Sequence, residues 1–245
     1  MHLKFICGYL LLFFGGAVAW AVETPPPLQQ QQPTKTLVIL FVNSGNALMG
    51  KDNTAMVVRA FNNLGYKLEF RSVPLGRGAT EITKDPIDGE LVRVREYGDF
   101  HPELVRVEEP IATATFSIYT KPGKKIPCNW DELTKSDLRI DYQRGIFYSE
   151  MNFKKHLSDR IRGIDHAEQM FQRLRSNRSD LFFLDKQSAD NILQNSKEKW
   201  DLERVCDIHS APTYMYLKAR YADLAKKLPA EFRRIKKESE PLKKK

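Results

Sequence analysis

The sequence predicts an α/β protein built as two lobes, each a sheet flanked by helices. Three observations carry that expectation. Apolar runs without alternation, such as "TLVILFV" and "LFFL", read as strands buried on both faces, as parallel sheets bury them. These strands alternate with stretches whose apolar residues recur at helical spacing, the order of a doubly wound sheet. After "PGKKIPCNW" the same order starts again, so two halves of similar architecture follow one another.

The first residues stand apart from that pattern. "MHLKFICGYLLLFFGGAVAWA" has a basic start at Lys4, an apolar run from Phe5 to Val18, and small residues at Ala19 and Ala21. This is the layout of a signal peptide, residues 1–21, with cleavage after Ala21 and export to the periplasm. A membrane anchor is the alternative, but the run falls short of the roughly 20 apolar residues a bilayer requires. A Pro- and Gln-rich linker, "VETPPPLQQQQPTK", covers residues 22–35. Residues 36–120 are expected to form the first part of lobe 1, residues 121–210 lobe 2, residues 211–238 a return to lobe 1, and residues 239–245 a disordered basic tail.

Composition narrows the function. Of the formal net charge of +8, a large part lies in "RRIKKESEPLKKK" at the C-terminus. No aromatic-studded basic stripe accompanies it, so nucleic acid is not an expected partner. The mature chain holds two cysteines, Cys128 and Cys206, which in an oxidising compartment form a disulfide or remain two separate thiols.

Element by element, "TLVILFVNSG" is the first strand. "NTAMVVRAFNNLGYKLEF" sets Ala55, Met56, Val58, Ala60, Phe61 and Leu64 on one helical stripe, stops at Gly65 and resumes as a strand. A helix near "GRGATEITK" leads through an Asp-Pro and Asp-Gly turn into "GELVRV", and "TATFSIYTK" follows as another strand. The second half reads as helix "WDELTKS", strand "LRIDYQ", helix "YSEMNFKKHLSDR", strand "IRGID", helix "HAEQMFQRLRS", strand "SDLFFLD" and helix "KQSADNILQNS". "APTYMYLKARY" gives a last strand and "YADLAKKLPAEFRRIKKE" a closing helix.

The strand after the Asp-Gly turn carries Glu90, Arg93 and Arg95. If it alternates regularly, Arg93 and Arg95 point one way and Glu90 the other. The arginines then serve either as a carboxylate grip at a cleft or as charges that protect a sheet edge.

In the order of its short motifs the chain resembles the type II periplasmic solute-binding proteins, family 3 of the extracellular binding proteins of ABC transporters. The motifs are "NNLGYKLEF", "IDGELVRV", "LVRVEEPI", "NWDELTKSDLRIDYQRG", "HAEQMFQRLRSNRSDLFFLD" and the terminal "TYMYLKARY" before a helix. The resemblance spans nearly the whole mature chain. It implies two lobes hinged near "YTKPG" and "HSAPT", with a small polar or zwitterionic, amino-acid-like solute held between them. It also implies that Asp185, ending "DLFFLD", pairs with a ligand ammonium, although Asp there also suits a helix N-cap.

Where the amino-acid binders place a carboxylate-gripping Arg, this chain reads "EYGDFHPEL" and has none. That grip is therefore either missing or moved to Arg77 or Arg93. Gly145 stands at a helix start where backbone N–H groups would hold an anion, with Ile146 and Phe147 where the family has a hydroxyl. Ser44, Asn46, Glu90, Tyr142 and Arg144 complete the expected lining.

The expected partners are a small-molecule ligand and an ABC permease, or a membrane sensor if the protein feeds a receptor; the protein itself is expected to be a monomer. An enzyme on the same scaffold would need a positioned acid or base, with Glu90 the candidate, but the flanking arginines would keep it ionised. His2, His101, His156, His166 and His209 show no metal-ligand spacing, and in a regular strand Cys206 and His209 would face opposite sides. Neither catalytic residues, a metal nor a cofactor is expected.

Overall fold

The structure, a computed structural model, describes residues 35–42, 45–73 and 77–239. The expected signal peptide, the linker up to residue 34 and the tail beyond residue 239 lie outside the described residues.

Strand β1 (Lys35–Val42) leads to helix α1 (Gly45–Asn63), strand β2 (Tyr66–Val73), the single turn α2 (Gly78–Glu81) and strand β3 (Ile87–Val94). β1 lies between β2 and β3 and is parallel to both. Helix α1 ends because Gly65 takes a φ of +81°, a conformation that glycine adopts without strain. Its N–H closes on the Asn62 carbonyl at 3.0 Å.

A short strand β4 (Leu104–Arg106) and the long β5 (Ala112–Thr120) then carry the chain into the second half. There α3 (Trp130–Lys135), β6 (Ile140–Gln143), α4 (Phe147–Phe153), β7 (Ile161–Ile164), α5 (Ala167–Arg175), β8 (Leu181–Asp185) and α6 (Lys186–Asn195) follow. β6 lies between β7 and β8, again parallel to both, so this half repeats the topology of the first. Strand β9 (Glu203–Lys218) and helix α7 (Ala222–Ser239) close the chain.

The expected α/β fold class holds, with the halves joined by two strands. β9 runs antiparallel to β3 at one end and to β5 along most of its length, and β5 also pairs with β8. The result, among the described residues, is one sheet in the order β2-β1-β3-β9-β5-β8-β6-β7. "HSAPT" falls where β9 passes from one half to the other, whereas "YTKPG" lies at the far end of β5, whose Phe116–Thr120 already pairs with β8.

The apolar runs are buried on both faces, as their composition requires. Phe182 and Leu184 pack with Met170 and Phe171 of α5, while Leu181 and Phe183 pack with Phe153 and Trp130 on the other side. In the first half Leu37 and Ile39 meet Val57, Phe61, Leu228 and Phe232 of α1 and α7, and Val38 and Leu40 face the opposite way.

Several elements differ from expectation: α1 starts at Gly45 instead of Asn53, α2 is only Gly78–Glu81, and α4 and β9 have other bounds. α4 stops at Phe153 instead of continuing through residue 160, because Phe153 is its last side chain to reach the core and Leu157 is exposed. Beyond Phe153 no apolar face holds a helix in place. β9 starts eight residues earlier than "APTYMYLKARY", at Glu203, and the polar "ERVCDIHS" hid that extension.

Cys128 and Cys206 are bonded, which ties the segment ahead of α3 to β9 across a sequence separation of 78. A cross-link of that span contributes about 2–4 kcal/mol, chiefly by restricting the unfolded chain. Replacing both cysteines with serine is therefore expected to lower the melting temperature by roughly 5–15 °C. An unchanged calorimetric midpoint would show that the bond carries no stability.

Candidate functional site

In each half the chain leaves a central strand, β1 or β6, toward one neighbour and later returns on the other side. This makes a topological switch point between β1 and β3 and another between β6 and β8. Open α/β sheets bind ligands just outside the carboxyl ends of strands at such points. Here the two regions approach one another. α1 of the first half lies against α6 of the second. Phe147, at the start of α4, sets its ring 5.8 Å from Tyr97 and 5.3 Å from Phe100. Ile146 packs against clusters of both halves.

On the first-half side, the charges of β3 do not alternate. Glu90 is opposite Tyr216 and Arg93 opposite Tyr214, so three steps along β3 match two along β9. The extra residue is a β-bulge, and within it Val92 has a φ of +64°. A β-branched residue in the left-handed region costs about 1–3 kcal/mol and is held there by its surroundings. The bulge resets the pleat, and this corrects the expectation that Glu90 and Arg93 face opposite ways. Arg93 Nη2 donates to Glu90 Oε1, and Tyr97 Oη donates to Glu90 Oε2 at 2.8 Å.

This group is buried, with Glu90 at 0% and Arg93 at 5% exposure. Burial disfavours the charge on Arg93, but the Glu90 carboxylate outweighs it and raises the guanidinium above its usual range. Burial and then the same carboxylate push the Tyr97 phenol well above the ordinary phenolic range. The Arg93 guanidinium carbon sits 4.7 Å from the Tyr97 ring centre, and Arg93 Nε has no hydrogen-bond partner among the described residues. Arg95 is outside the strand, in a 3-10 turn, with its charge 3.6 Å from Glu108. Tyr97 was not among the expected site residues; its place in the sequence, seven residues after Glu90 and past the end of the strand, gives no periodic signal.

On the second-half side, Asp185 ends β8 and caps α6, its Oδ1 accepting from the Ser188 N–H at 2.8 Å. It is 0% exposed and its Oδ2 has no partner among the described residues. Burial pushes its carboxyl up to about 6, against the lowering effect of the Ser188 N–H. In the same half, Gln143 at the end of β6, Ser149 in α4 and Ser188 in α6 are also buried, each with a side-chain oxygen that has no partner among the described residues. Sequence reasoning missed these three.

The remaining expected residues are placed differently. Tyr142 belongs to the core, stacked on Phe153 at 5.3 Å, with burial pushing its phenol up to about 12. Arg144 is exposed and bound to Asp165 at 3.1 Å and to the Gly163 carbonyl at 2.6 Å. Gly145, at φ +84°, donates its N–H to Glu150 Oε1 at 2.9 Å, so an internal carboxylate already occupies the expected anion position. Arg77 is exposed at the start of the four-residue α2. Ser44 and the side chain of Asn46 lie outside the described residues. A bulge between Asp207 and His209 puts His209 against Phe116, on the face where Cys206 also packs, which corrects their expected separation.

The architecture is the two-lobed α/β fold of type II periplasmic binding proteins. The chain is similar to a mutant of ArgBP from T. maritima (TM-score 0.65, 14% identity, covering 84% of this chain and 91% of that one). It is similar also to a histidine-bound substrate-binding protein of an ABC uptake transporter from Streptococcus pneumoniae (TM-score 0.63, 14% identity, 83% and 88% covered). A third structure of the same fold is the ancestral amino acid-binding protein AncCDT-1, a precursor of cyclohexadienyl dehydratase (TM-score 0.62, 18% identity, 82% and 90% covered).

In sequence, the chain is 24% identical over 233 residues to a Shewanella oneidensis protein described as uncharacterized, covering 93% of this chain and 88% of that one. No family model matches the sequence.

Proposed function

We propose that the protein is an exported solute-binding protein, which captures a small polar solute between its two sheet halves and presents it to an ABC transporter. The observation that supports this most directly is Asp185, a fully buried carboxylate at a switch point with one oxygen unanswered. Such a group is costly unless a partner arrives, and a cationic or ammonium-bearing solute is the partner it suits. Export rests on residues 1–21 and agrees with the Cys128–Cys206 bond, since disulfides persist in oxidising compartments. Glu90, the candidate acid for an enzyme, is committed to Arg93 and Tyr97 inside the protein, which favours binding over catalysis.

Binding is tested by unfolding the protein against a panel of amino acids, organic acids and amines, then assaying each stabilising compound for chemical change. A true ligand at about 100 times its Kd should add roughly 2.7 kcal/mol of stability. No stabilising compound would sink the binding role, and a compound recovered altered would favour an enzyme.

A further inference from the structure

A binding site that held an α-amino acid would need an unclaimed grip for the carboxylate. The sequence offered Arg77, Arg93 and the Gly145 N–H for that grip and Arg144 for the lining, and the chain uses all but Arg77 itself. Arg93 is neutralised by Glu90, Arg144 by Asp165, and the Gly145 N–H by Glu150. The fourth, Arg77, is exposed. α4 spans only seven residues, and its first side chain, Phe147, lies over Tyr97 where a hydroxyl would have served an anion.

What is left unanswered in the buried region has the opposite character. Asp185 Oδ2 and Gln143 Oε1 only accept hydrogen bonds, and the Ser149 and Ser188 hydroxyls can do so. These four belong to the ends of β6 and β8 and the helices that follow them, on either side of one switch point. Arg93 Nε is a remaining donor, on a cation whose charge Glu90 already matches.

We propose that the solute is an amine or guanidine without a carboxylate, its cationic head held by Asp185 with Gln143, Ser149 and Ser188 as acceptors. This rests on the solute-binding reading and narrows it. The negative charges supplied by Glu90 and Glu150 act as the selective element. Glu90 matches the charge of Arg93 and Glu150 takes the Gly145 N–H, so an acid finds neither group free.

The test compares the full-length mature protein's affinity for agmatine, cadaverine and histamine with that for arginine, lysine and histidine, by calorimetry. At least one amine is expected to bind more than about tenfold tighter than its parent amino acid. Asp185→Asn is expected to weaken that amine by about a hundredfold. Amino acids that bind as tightly as their amines would overturn the inference and leave the solute-binding reading intact. Amine binding unchanged in Asp185→Asn would overturn it as well. If neither the amines nor their parents bind at about 10 mM, the inference and the reading fall together.

Discussion

Glu90→Ala is expected to destabilise the protein by about 3–5 kcal/mol, the cost of leaving a buried guanidinium without its counter-charge. Arg93 is 5% exposed and its charge meets no other carboxylate among the described residues, while Tyr97 Oη loses its acceptor at the same time. Glu90→Gln should cost less, because it keeps an acceptor for Tyr97. The double variant Glu90→Leu with Arg93→Met should recover most of the loss, since a buried pair replaced by apolar groups of similar volume is often neutral. Urea denaturation of the three variants separates the outcomes. A loss under about 1 kcal/mol for Glu90→Ala would mean that water reaches the pair in solution.

Asp185→Asn is expected to do the reverse in the absence of ligand: at pH 7 to 8 it should be more stable than the parent. Burial raises the Asp185 carboxyl from 3.8 to about 6, and that shift corresponds to roughly 3 kcal/mol. Because the folded state holds its proton more tightly than the unfolded state, stability falls as pH climbs from about 4 to about 6. Above that window the penalty is fully present, and below it the penalty is gone. Asn keeps the N-cap to Ser188 but does not titrate, so its advantage should grow from near zero at about pH 4 to as much as roughly 3 kcal/mol at pH 7. If the solute is the cation proposed, the same variant should also lose the stabilisation it confers on the parent. A stability difference that does not change with pH would show that Asp185 is not ionised at a cost in the folded protein. A residue that lowers the stability of the empty protein and is relieved by ligand is what the solute-binding role calls for.

Much of the fold was legible because its signals are local. "LFFL" and "TLVILF" had to be strands buried on both faces, and Phe182 and Leu184 do pack opposite to Leu181 and Phe183. Gly65 and the stripe through Phe61 marked the end of a helix. The N-cap position of Asp185 was legible for the same reason, as an acidic residue placed directly between an apolar strand and an amphipathic helix. The 16-residue β9 was only half legible, because Glu203, Arg204 and Asp207 are exposed and break its apolar pattern.

By itself, then, the sequence determined the succession of strands and helices, the doubling of the architecture and the position of the lone acidic group at the end of β8. Each of these follows from which residues within one element must leave water. The tertiary structure alone decided what the charges do. Glu90 meets Arg93 because pairing with Tyr214 and Tyr216, more than 120 residues away, imposes a bulge at Val92 that local alternation cannot foresee. Gly145 is claimed by Glu150 because a short turn folds that side chain back onto it. Register and side-chain reach are settled by distant partners, and on them depends whether an arginine is free to hold a solute or already spent on its own chain.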